Sequence, residues 1–185
     1  SVLDIIADVI DSTRRAGFLD NDNGVQIIHQ PAFTTICANI FKIPFKDGEY
    51  LWIELISLIK EAIVAEPTFL GVVLRSEYIA SFAAAFKPET RAQFSPLLDS
   101  PAKIDALLAP LAKLAYSMCI TTDGQNFVQD NLIAQFVIDG CVHSSAILPR
   151  CDGISMETLA HCAGYICRMM RESESMQEDI RTFIG

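Results

Sequence analysis

Apolar residues recur at three- and four-residue steps along nearly the whole chain, with polar residues between them. This pattern predicts helices throughout. In the first segment Val2, Ile5, Ile6, Val9 and Ile10 form one stripe and Asp4, Asp8 and Asp11 the other, until Gly17 ends it. In Glu49–Ala65, Leu51, Leu55, Ile56, Leu58, Ile59, Ile63 and Val64 cover most of the circumference, which predicts a nearly buried helix. Glu66-Pro67 breaks that run, and Pro67 suits the first turn of a following helix, where its missing N–H does no harm. The stretch KPETRAQFSPLLDSP after Phe86 is rich in proline and polar residues and reads as a loop. Ser100 is then expected to cap a helix that has Pro101 at its first position and runs through Ile104, Leu107, Leu108, Leu111, Leu114 and Ala115. Pro110 is expected to kink that helix or split it in two. A last long helix is expected over about Ser155–Glu172, opening at Ser155 or Thr158. No run alternates with period two for long enough to make a sheet, and Asn23-Gly24 lacks strand-like flanks.

An internal repeat organises these helices. VLRSEYIASF (Val73–Phe82) aligns without gaps with FVQDNLIAQF (Phe127–Phe136) at a shift of 54 residues, and with IIHQPAFTTI (Ile27–Ile36) at a shift of 46. Long apolar helices follow the successive copies: Glu49–Ala65, Ala102–Ile120 and Ser155–Glu172. One unit is therefore a short helix, a tight corner, a second helix and a long buried helix. A period of about 40 to 55 residues with this content is that of armadillo or HEAT solenoids. The expected fold is all-α, an armadillo/HEAT-like helical repeat. Residues 1–185 form one segment, with repeat-like units at about 1–47, 48–100, 101–154 and 155–185. Burial is expected for Val73, Tyr78, Ile79 and Phe82, and in matching geometry for Phe127, Leu132, Ile133 and Phe136.

Composition narrows the function. Of 185 residues 51 % are hydrophobic, yet charges interrupt every apolar run before the roughly 18 uninterrupted residues of a membrane span. The opening SVLDIIADVIDSTRR lacks a basic n-region and reads as neither signal nor transit peptide, so a piece of a longer chain is expected. A net charge of −9 argues against nucleic acid and anionic membranes, both of which attract clustered Lys and Arg. The six cysteines (37, 119, 141, 151, 162 and 167) sit among apolar neighbours, which points to free core thiols in a cytoplasmic or nuclear protein.

The stretch from Gly48 to Phe86, GEYLWIELISLIKEAIVAEPTFLGVVLRSEYIASFAAAF, and SPAKIDALLAPLAKLAYSMCITTDGQNFVQDNLIAQFV after it together resemble the armadillo-like region in the N-terminal part of the giant HECT-type ubiquitin ligases. Glu66-Pro67-Thr68 matches the Glu-Pro-Ser/Thr corner of those proteins, and Leu74 to Phe82 matches the aliphatic corner after it. Met118-Cys119-Ile120 and Gly124-Gln125-Asn126-Phe127 match a Leu-Cys-Leu-Asn and Gly-x-x-x-Phe pattern, with Thr121 in place of the Asn. The resemblance covers roughly Gly48 to Asp139. It implies a non-catalytic scaffold that positions protein substrates for a distant HECT domain. None of the six cysteines matches the HECT catalytic motif, and the resemblance assigns no site residue.

Other chemistries fit poorly. In LDNDNG (Leu19–Gly24), read as a calcium loop, Leu19 stands where the first carboxylate belongs and Gln30 where a bidentate Glu belongs. Cys141, His143, Cys151, His161, Cys162 and Cys167 invite a zinc reading, but ten residues separate Cys141 from Cys151 and five separate Cys162 from Cys167, unlike a zinc knuckle. No nucleophile elbow, P-loop or dinucleotide fingerprint occurs. Glu172 and Glu174 belong to a solvated terminus, and Cys167–Ser173 reads as core methionines flanked by solvated arginines. No catalytic, cofactor-binding or metal residue is therefore expected. Protein substrates or adaptors, basic ones in particular, are the expected partners, along with neighbouring repeats of the same chain. The alternatives are an adaptor or transport solenoid unconnected with ubiquitin, and a helical-bundle enzyme.

Overall fold

The computed structural model describes residues 31–94 and 101–137, with the single positions 139 and 164; for 101–105 only the backbone is described. Among these residues every regular element is helical, in agreement with the all-α expectation. The first helix stripe, Ser100 and, apart from Gly164, the Ser155–Glu172 helix lie outside the described residues. The chain divides into two compact units, Ser1–Phe94 and Ser95–Gly185. The division falls inside the proline-rich loop.

In the first unit, α1 (Pro31–Lys42) starts on a proline, whose fixed φ suits a first turn, and ends on a lysine that complements the negative end of the helix dipole. Phe33, Cys37, Ile40 and Phe41 form its buried stripe. A short 3-10 turn, Phe45–Asp47, leads into α2 (Glu49–Ala65), whose bounds coincide with those read from the sequence. Eight side chains of α2 are buried: Leu51, Trp52, Leu55, Ile56, Leu58, Ile59, Ala62 and Ile63. Val64, expected in the core, is 64 % exposed. It stands three residues after Glu61 and seven after Ser57, on the stripe that these polar residues mark as solvent-facing.

Proline chemistry ends α2. Glu66 precedes Pro67 and is forced out of the helical region, to φ −134° and ψ 90°. The chain then turns through three i→i+3 bonds, Phe69 N–H to Glu66 O, Leu70 N–H to Pro67 O and Gly71 N–H to Thr68 O (2.9, 3.2 and 3.3 Å). Pro67 thus sits in the turn that precedes α3 (Phe69–Arg75), one step before the first helical turn expected for it. Ser76 alone joins α3 to α4 (Glu77–Ala84), with extended φ −79° and ψ 151°. Its hydroxyl donates back to the Val73 carbonyl rather than capping α4. Beyond α4 the loop is not bare: a second 3-10 turn, Arg91–Phe94, carries Phe94 into the core at 1 % exposure.

An aromatic cluster fills this unit. Trp52 lies near its centre, with ring centroids 4.9 Å from Phe41, 5.8 Å from Phe45, 6.3 Å from Phe82 and 6.4 Å from Phe94. Phe86 stacks on Phe94 at 5.4 Å with 11° between the planes. Two hydrogen bonds tie the periphery to this cluster: the Trp52 Nε1–H donates to the Ile43 carbonyl (3.0 Å), and the Phe45 N–H donates to Gln93 Oε1 (3.1 Å). The second bond joins the two 3-10 turns, which also contact each other directly.

In the second unit, α5 (Pro101–Met118) runs through Pro110 as one helix, so the expected split does not occur. A proline removes one backbone bond and crowds the preceding turn, and the run of Leu107, Leu108, Leu111, Ala112, Leu114 and Ala115 into the core holds the helix together across it. Thr121 caps α6 (Thr122–Asp130), its Oγ1 accepting from the Gly124 N–H at 3.1 Å. Asn131 and Leu132 form the next corner, before a helical run at 133–137.

The two segments aligned at a shift of 54 residues keep their order of helix, corner and helix, but not all of their burial. Val73, Tyr78, Ile79 and Phe82 are buried, as are Ile133 and Phe136; Phe127 and Leu132 are only half-buried. Val128, next to Phe127, takes the fully buried place instead. Leu132 leaves it because this corner has two residues where the earlier one has only Ser76, and Leu132 adopts φ 60°. In the third copy Ile36 is 44 % exposed, since α1 buries Phe33 and Cys37 instead.

A leucine in the left-handed region costs roughly 1–2 kcal/mol, and a β-branched residue there is worse. Leu132→Val is therefore expected to lower stability by about 1–2 kcal/mol. Leu132→Gly should stay within about 1 kcal/mol of the parent, since relief of strain offsets the lost side chain. Urea denaturation of the two variants tests this ranking. Equal losses would place the cost of both in packing alone.

Candidate functional site

The described residues that sequence chemistry singles out are Cys37 and Cys119, both buried. Cys37 lies on the stripe that α1 turns toward α4, the helix it contacts most extensively, where Phe33 meets Tyr78 edge-on at 6.5 Å. Burial pushes the Cys37 thiol far above the ordinary range, against a smaller lowering by a backbone hydrogen bond. Burial does the same to the Tyr78 phenol; its interaction with Ser76 opposes the rise and the nearby Cys37 adds to it. Thiol and phenol are thus both held in their neutral forms at physiological pH, so Cys37 is not a ready thiolate.

The sign of the resulting pH dependence follows. The unfolded chain releases the Cys37 proton near pH 8.5 and the Tyr78 proton near pH 10, while the folded protein retains both. The stabilisation is fully present below about pH 8.5 and declines by up to about 1.4 kcal/mol per pH unit for each group, above about pH 8.5 for Cys37 and above about pH 10 for Tyr78. Denaturation curves at pH 7, 9 and 10 should show a shallower decline for Cys37→Ala than for the parent. Parallel curves would mean that Cys37 ionises as readily folded as unfolded.

Among the described residues no group of three or more His, Cys, Asp and Glu is placed to hold a metal ion, and no helix is long and apolar enough to cross a membrane. The calcium-like stretch Leu19–Gly24 and the cluster Cys141, His143, Cys151, His161, Cys162 and Cys167 lie outside the described residues. Of the acids that the net charge makes a match for basic partners, Glu77, Asp123 and Asp130 are exposed and Glu49 is half-buried. Asp8, Asp11, Glu172 and Glu174 lie outside.

The surface also carries apolar side chains that periodicity did not single out as exposed: Ile36 on α1, Tyr50 and Val64 on α2, Val72 on α3 and Ile120 after α5. For Val64 the signal was present in the polar stripe of Ser57 and Glu61. For Tyr50 it was the position beside Glu49 at the helix start. What the described chain offers is therefore helical surface, with the Cys37 thiol and Tyr78 phenol sealed in the core and acids spread over α2, α4 and α6.

No protein-family model, no curated protein and no solved structure matches the chain.

Proposed function

We propose that this chain is an armadillo-like helical-repeat segment that works without catalysis, as a protein-interaction scaffold within a HECT-type ubiquitin ligase. In this reading it holds protein substrates or adaptors for a HECT domain elsewhere in the same protein, in the cytoplasm or nucleus. The observation that carries the repeat is the packing of α1 on α4. The segments aligned at a shift of 46 residues supply the two helices with the most extensive contact among the described elements. Ring contacts join the two helices, Phe33 to Tyr78 at 6.5 Å and Phe41 to both Tyr78 at 6.4 Å and Phe82 at 5.2 Å. Equivalent helices of successive repeats stack side by side in this way.

The ubiquitin part of the reading rests on the resemblance over Gly48 to Asp139. Its one departure is physically mild. Thr121 stands where the pattern has Asn, and it performs the capping that an Asn in that place would perform. The exposed acids favour basic partners, whose binding weakens as salt screens it.

The test is deletion of residues 1–185 from the parent ligase. Substrate ubiquitination is expected to fall while the thioester on the HECT cysteine persists. Loss of that thioester, or a reducible ubiquitin adduct on the isolated chain with activating and conjugating enzymes, would overturn the scaffold reading. A parent gene without a HECT domain would leave a helical-repeat adaptor unconnected with ubiquitin.

A further inference from the structure

We draw no further inference here: the strongest candidate, the exposed apolar positions Val64 on the last turn of α2 and Val72 on α3 that flank the Glu66-Pro67-Thr68 corner, carries nothing because nothing in the structure shows what covers them.

Discussion

Replacing Trp52 with alanine is expected to destabilise the first unit by about 3–5 kcal/mol, the range for truncating a large buried aromatic. The indole is 1 % exposed and lies within 6.4 Å, centroid to centroid, of four other rings, so the cavity cannot collapse around a single neighbour. The Ile43 carbonyl also loses its donor, which adds about 1 kcal/mol. Trp52→Phe should cost less, since a ring still fills most of the site and only the hydrogen bond and part of the volume are lost. Denaturation followed by circular dichroism separates the two. A loss below about 1 kcal/mol for Trp52→Ala would mean that the aromatic cluster is loosely packed.

Phe94→Ala is expected to cost nearly as much, about 3–5 kcal/mol, although Phe94 lies in what reads as a polar loop. Its ring stacks on Phe86 and approaches Phe45 at 5.0 Å, while Gln93 beside it accepts the Phe45 N–H. Trp52 is the only tryptophan, so its emission reports on this cluster alone. The variant should shift that emission to the red as water reaches the indole. Val64→Ala, at an exposed position, should change stability by less than about 0.5 kcal/mol. If Phe94→Ala behaved like Val64→Ala, the second 3-10 turn would be an ornament on the surface rather than part of the core.

The contrast between these two residues shows what was legible in the chain. The α2 bounds followed from a long apolar run closed by Glu66-Pro67, and the α5 start from Pro101, because periodicity and proline act locally. Val64 was misjudged by counting apolar residues around the helix; the polar residues Ser57 and Glu61 on its stripe decide its side. Phe94 and Phe45 gave no periodic signal, since a single aromatic in a turn is buried by partners far along the chain. The left-handed Leu132 had no signal either, because leucine is a poor former of that conformation and only the corner imposes it. The candidate chemistry followed the same division. Burial of Cys37 and Cys119 was readable from apolar neighbours, whereas the pairing of Cys37 with the Tyr78 helix required the α1–α4 packing.

The place of Phe94 at the end of its unit bears on how the protein is made. Synthesis proceeds from the N-terminus, and domains fold as units while they emerge. Here Phe41, Phe45, Trp52, Phe82 and Phe86 all leave the ribosome before the ring that closes their cluster. A nascent chain that stops short of Phe94 holds an open aromatic face, the kind of transient surface that chaperones recognise. Phe94 follows Phe86 closely along the chain, with only residues 87–93 between them. That brevity limits how long the half-built core stays exposed to other nascent chains on the same message.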